Sequence, residues 1–196
     1  MNVERFEGAE LHLHVTGSIS AALVPWWIHR LRQLHPELVV NVSAARSATR
    51  FVTVRALRHL AGGQVWVDSW DDPHLPSEAD SGRTGASECF IVFPATLDTL
   101  MRLAQGRADS PALMMLQVTD RPIVIADTLP GSNEIVESNP KTLRLRSNVG
   151  FAPRVTGARA NSRTEAKVGF NLPGAIAVAN AIAVANEMVR KGLSHE

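Results

Sequence analysis

The stretch "SECFIVFPATLDTLMRLAQG" (residues 87–106) decides the fold. From Cys89 to Phe93 every residue is apolar. A run of that length without polar alternation predicts a strand covered on both faces. Pro94 is expected to end the strand and Thr96 to cap a helix. Leu97, Leu100, Met101 and Ala104 then recur at helical spacing until Gly106 stops them. A doubly covered strand that feeds a helix is the unit of a parallel sheet.

The same alternation extends in both directions. Upstream, "LHLHVTG" (11–17) reads as a strand ending on glycine, and "ISAALVPWWIHRLRQLHP" (19–36) as a helix interrupted near its start by Pro25. "ELVVNVSA" (37–44) and "GQVWVDSW" (63–70) read as two further strands, with a helix between them that contains Phe51, Val54 and Leu57 and ends at Gly62. Downstream, "RPIVIADT" (121–128) is another buried strand, and a helix from about Pro173 closes the chain. Elements in this order imply right-handed crossovers and an α/β fold: one Rossmann-like (flavodoxin-like) domain over residues 1–196, its parallel sheet flanked by helices. The closing helix repeats "AIAVAN" over 175–186, which reads as alanine-rich packing against the sheet.

Bulk properties narrow the function classes. Among 196 residues the net charge is +1, which calls for neither nucleic acid nor an anionic membrane as partner. No stretch reaches the length of a membrane span and the first ten residues lack a signal-peptide pattern, so a soluble, cytoplasmic protein is expected. The lone Cys89 excludes an internal disulfide and a thiolate zinc cluster.

Ligands of such sheets bind beyond the carboxyl ends of the strands, which turns attention to the strand-to-helix turns. Three of them are rich in hydroxyls: Gly17-Ser18-Ile19, then Ser43, Ser47 and Thr49, then Pro94-Ala95-Thr96. Serine and threonine often stand there simply as helix caps. Three such turns at one sheet edge suit a bound phosphate ester better than any one alone.

"TGSISA" (16–21), "PATLDTLMRLAQGRAD" (94–109) and "PGSNEIVESNP" (130–140) follow in order the motifs of the homo-oligomeric flavin-containing cysteine decarboxylases, and from about residue 10 to 185 the chain resembles that family. The family includes phosphopantothenoylcysteine decarboxylase and the peptidyl-cysteine decarboxylases of ribosomal peptide maturation. The resemblance implies FMN, with FAD possible, held by Gly17, Ser18, Ile19, Ser43, Ser47, Phe51, Pro94, Ala95, Thr96 and Asp98. It also implies a substrate clamp at Pro130, Gly131, Ser132 and Asn133, with Asn133 catalytic. The clamp reading treats this polar segment as something other than a helix start. The implied partners are a precursor peptide with a C-terminal cysteine and further copies of the chain, as a homotrimer or homododecamer.

The chemistry implied is removal of hydride from the cysteine side chain to give a thioaldehyde, which serves as the electron sink when carbon dioxide leaves. An enethiolate results. Two departures bear on it. The family's histidine lies fourteen residues before the proline of the third motif, and that count from Pro94 lands on Asp80. His74 lies six residues earlier, so Asp80, His74 or no protein group is the base. No cysteine follows Cys89, whereas coenzyme A pathway members carry one after the asparagine motif to reduce the enethiol, so release of the oxidised product is implied. Phosphopantothenoylcysteine decarboxylase and a non-catalytic flavin-binding regulator remain the alternatives.

Other conspicuous residues have plainer readings. His12 and His14 share a strand face, but no third ligand stands near, so a structural role and no metal are expected. Cys89 reads as a small buried hydrophobe. "TLRLRSNVGFAPRVTGARANSRTEAK" (142–167) is rich in arginine and reads as a solvated surface, with attraction of a peptide's C-terminal carboxylate as the alternative.

Overall fold

The computed structural model describes residues 5–76, 87–129, 133–158, 165–168 and 171–193. Six strands form one fully parallel sheet: β1 (Glu10–Val15), β2 (Val39–Ala44), β3 (Gly62–Val67), β4 (Cys89–Ala95), β5 (Ile123–Asp127) and β6 (Val149–Phe151). Their order is β3-β2-β1-β4-β5-β6, the doubly wound order in which chain direction across the sheet reverses at β1. Leu13 pairs with Val42 on one side and with Ile91 on the other. A separate antiparallel pair, β7 (Val155–Ala158) and β8 (Glu165–Val168), follows β6.

Strand alternation builds a different core on each face. On one side Leu11, Leu13 and Val15 of β1 pack with Ile91 and Phe93 beneath α1 (Val24–Leu34), α2 (Val54–Ala61) and α6 (Leu172–Leu193). On the other, Phe90, Val92, Ile123 and Ile125 meet α3 (Leu97–Ala104), α4 (Pro111–Val118) and α5 (Glu134–Leu143). Every residue of β4 is buried, as its unbroken apolar run requires. No helix among the described residues is long and apolar enough to cross a membrane.

Local chemistry sets the helix ends. Thr53 accepts a hydrogen bond from Ala56 N at 3.2 Å to start α2, and Gly62, at φ +76°, ends it. The segment 19–36 begins as a 3₁₀ turn over Ile19–Leu23, and α1 proper starts at Val24 with Pro25 in its first turn. Phe51 lies before α2, outside the helix the periodicity placed it in.

Two other expectations need correction. Pro94 does not end β4, which continues to Ala95 through a cis Phe93–Pro94 bond and a register shift against β5. From Asn133 onward the polar segment 130–140 is a helix start: Asn133 Oδ1 accepts from Val136 N at 2.9 Å and α5 runs on through Pro140. Pro140 has no N–H for the carbonyl of Val136. Asn139 Nδ2 donates to that carbonyl at 3.4 Å and to Ile135 O at 3.1 Å, which keeps the turn bonded.

Candidate functional site: the crevice between β1 and β4

The reversal of strand order at β1 sends the chains leaving β1 and β4 to opposite faces, and a crevice opens between their carboxyl ends. Thr16 closes its floor. Its buried Oγ1 donates to Pro94 O at 2.7 Å and accepts from Thr96 N at 3.0 Å, with Thr96 Oγ1 at 3.3 Å. Thr128, just past β5, donates from its N–H to Ala95 O at 2.9 Å and brings its Oγ1 to 3.4 Å from Ser18 Oγ. Three strand ends are thereby joined through hydroxyls.

Thr96 holds the N-cap position of α3, with extended backbone at φ −82° and ψ 162°, yet it makes no side-chain cap. Its Oγ1 lies 3.1 Å from Thr99 Oγ1 instead. Nothing on the cap side chain therefore competes for the amides of the first turn, and a helix start of this kind favours an anion. Ser18 accepts from Ser20 N at 3.3 Å at the head of the 3₁₀ turn. Gly17 is required by a close approach: a Cβ there would lie 2.5 Å from Ser47 Cβ and 3.2 Å from Ser47 C. The turns after β1 and β2 are thus packed directly against each other.

The donor set at this edge, hydroxyls of Ser18, Ser47 and Thr96 with the uncapped amides of α3, fits the phosphate of a flavin nucleotide. Ile19 and Phe51, 63% and 38% exposed, supply apolar surface in the same turns. Pro94 and Ala95 are buried and contribute backbone geometry. Asp98 is exposed and lies 3.8 Å from Arg102, one turn along α3. Ser43 is placed differently from the other hydroxyls. It is fully buried within β2, and its Oγ lies 2.8 Å from His12 Nε2 and 2.9 Å from His14 Nδ1.

Those two imidazoles are core groups. His12 packs against Trp66 and Phe90, its Nδ1 has no partner, and burial followed by repulsion from His14 lowers its pKa to about 3. His14 is also lowered, chiefly by burial. No group of three metal-ligating side chains exists among the described residues. Cys89 is buried, which pushes its thiol up and keeps it protonated.

Of the residues expected at the chemical step, Asn133 stands exposed at the start of α5, its Oδ1 engaged as the cap. His74 is exposed in the turn after β3, its backbone N–H donating to Asp72 Oδ1 at 2.8 Å. It is two strands away from the crevice in the sheet order. Asp80, Pro130, Gly131 and Ser132 lie outside the described residues. Sequence alone did not single out Thr16 and Thr128, although both sit one residue beyond a strand end. Nor did it single out Asp127: at the end of β5, 3% exposed, its carboxylate accepts from Arg154 Nε at 3.1 Å and from Nη2 at 2.5 Å.

Comparison with known proteins places this geometry. Residues 3–153 match the model of the family described as Flavoprotein. A Streptomyces sp protein, cypemycin cysteine dehydrogenase (decarboxylating), is 76% identical over 92% of this chain and 95% of its own. The coenzyme A biosynthesis bifunctional protein CoaBC of Escherichia coli (strain K12) is 29% identical over 65% of this chain and 30% of that protein. The crystal structure of the cypemycin decarboxylase CypD superposes with a TM-score of 0.83 at 70% identity, covering 94% of this chain and 99% of that one. The match over residues 3–153 covers more than half of the chain, and the chain belongs to the Flavoprotein family.

Proposed function

We propose that this chain is a single flavin-binding unit that oxidatively decarboxylates the C-terminal cysteine of a precursor peptide in the cytoplasm, with FMN as its flavin. The observation that carries the reading is the 76% identity, over nearly the whole of both chains, to a protein named for cysteine dehydrogenation with decarboxylation. The crevice agrees with it in chemistry.

Ser18, Ser47, Thr96 and the first turn of α3 hold the phosphate, and Gly17 lets the two turns close on it. A flavin held there would supply the hydride acceptor that oxidation of the cysteine side chain requires. The protein's own part is orientation. Asn133 offers amide donors to the carboxylate that departs, from a helix N-terminus whose dipole also favours an anion. Pro130, Gly131 and Ser132 complete the clamp in this reading.

The thiol proton is assigned to Asp80, whose ionised carboxylate accepts a proton at neutral pH and need not return it when the product leaves as an enethiol. His74 is the competing assignment. In single-turnover flavin reduction, Asp80→Asn is expected to slow the reaction by roughly 10²-fold and His74→Asn to change it little. The reverse result moves the base to His74.

Assembly into a trimer, or a dodecamer of trimers, completes the reading. It is supported by exposed Ile19, Leu23 and Trp26, at 55–63% exposure beside the crevice. Light scattering on the purified protein tests it.

The reaction is tested by mass spectrometry after incubation with a cysteine-ended peptide. Loss of carbon dioxide together with two hydrogens is the expected outcome. Loss of carbon dioxide alone would indicate the coenzyme A pathway outcome, and an unchanged peptide would favour a binding protein.

A further inference from the structure

A cavity of about 370 Å³ opens between α5 and the residues that follow β5 and β6. Its walls include Asp127, Glu137, Lys141, Arg144, Phe151 and Arg154. Two of the cations are held in place. Arg154 is fixed by the buried carboxylate of Asp127 through Nε and Nη2, which leaves Nη1 uncommitted by that pair. Arg144 stacks over the Phe151 ring, 4.4 Å from its centroid. Lys141 stands one turn before Arg144 on α5.

The backbone of the wall adds few donors, which leaves the cationic side chains to meet an acceptor ligand. Pro140 and Pro153 have no N–H, and Ala152 N is already bonded to Ile125 O at 2.9 Å. Asp127 is matched by Arg154. Three cations against the two carboxylates of Asp127 and Glu137 leave the cavity positive.

For a peptide that runs along α5 from Asn133, the length of the helix sets which group reaches the cavity. Asn133 begins the helix and Lys141 and Arg144 lie at its end, about 12–16 Å further on at roughly 1.5 Å per residue. An extended peptide advances about 3.3 Å per residue. A cysteine carboxylate held at Asn133 therefore cannot occupy the cavity, but a side chain roughly four or five residues upstream can.

We infer that this cavity is a subsite for a carboxylate of the substrate peptide, an Asp or Glu side chain about four residues before the reacting cysteine, received by Lys141, Arg144 and Arg154. The assignment rests on the peptide reading given above and adds a specificity determinant to it.

The test uses the flavin-loaded protein and two seven-residue peptides that end in serine, so that no oxidation of a thiol intervenes, one with Glu and one with Gln four residues before the end. Calorimetry is expected to show the Glu peptide binding about tenfold tighter, the scale of a charge-assisted contact in a partly open site. In Arg144→Gln and in Lys141→Gln, both at exposed positions, that ratio should fall toward one, and Arg144→Lys should restore part of it. Equal affinities for wild type, or a ratio unmoved in both variants, would overturn the subsite.

A third peptide, amidated at its C-terminus, separates the sources of the carboxylate. Should amidation, and not the Glu-to-Gln change, abolish the effect of the variants, the cavity holds the terminal carboxylate and the side-chain assignment is wrong. Cysteine-ended versions run in parallel report flavin reduction. If none of them reduces the flavin, the decarboxylase reading fails, while the binding ratio still decides the subsite.

Discussion

Thr16 Oγ1 donates to the carbonyl of Pro94 at 2.7 Å and accepts from the amide of Thr96 at 3.0 Å, so a single buried hydroxyl joins the ends of the two strands between which the crevice opens. Thr16→Val keeps the shape and removes both bonds. With Thr96 N left unpartnered, unfolding free energy should fall by about 1–3 kcal/mol. The flavin-to-protein absorbance ratio should fall with it, because the start of α3 loses its anchor. Urea titration and the visible spectrum of the purified variant check both; unchanged values would show that the floor of the crevice is held by other contacts.

Gly17 is constrained by its neighbour rather than by backbone angle, since a side chain there would enter the space of Ser47. Gly17→Val should give a folded protein that purifies with substoichiometric flavin, whereas Gly17→Val combined with Ser47→Gly should recover part of the flavin by making room. Full occupancy in the single variant would remove these two turns from the phosphate site.

Asn133 has two separable roles. Asn133→Ala loses the cap of α5, at a cost of about 1 kcal/mol, and loses the amide donors as well. Asn133→Asp retains the cap, and its charge suits the helix N-terminus, but it presents a carboxylate to a carboxylate. Stability near wild type with turnover abolished is expected for Asn133→Asp. Near-normal turnover in that variant would take Asn133 out of substrate binding.

The buried imidazoles make stability depend on acid. His12 has its pKa lowered from 6.5 to about 3 in the fold, so it is neutral when folded and takes up a proton on unfolding. Its contribution is fully present above pH 6.5 and is lost as the pH falls from there toward 3. His14 is shifted in the same direction, with Asp68 opposing and Arg102 reinforcing the effect of burial. Below pH 6.5 stability should decline by about 1.4 kcal/mol per pH unit on account of His12. Denaturant titrations between pH 7.5 and 5.5 should show a smaller decline in His12→Phe. An identical slope would mean that other groups carry the acid sensitivity.

What the sequence determined by itself was the layering. The unbroken apolar run Cys89–Phe93 could only be a strand covered on both faces, and glycines such as Gly62 and Gly106 marked where helices stop. These are local signals, set by periodicity and by the φ angles a residue tolerates. The hydroxyl-rich turns were legible for the same reason. What only the tertiary structure decided was the use of each polar group. Ser43 and Ser47 look alike in the chain, yet strand pleating buries the first between two histidines, while the turn after β2 carries the second against Gly17. The family resemblance implied a clamp at Asn133 and not a helix start; the cap bond to Val136 and the repair of Pro140 by Asn139 become visible only in three dimensions. The pairing of Asp127 with Arg154 spans 27 residues and depends on β5 and β6 lying side by side. Sequence periodicity reports which face a residue occupies, and long-range pairing requires the sheet order that only the folded chain supplies.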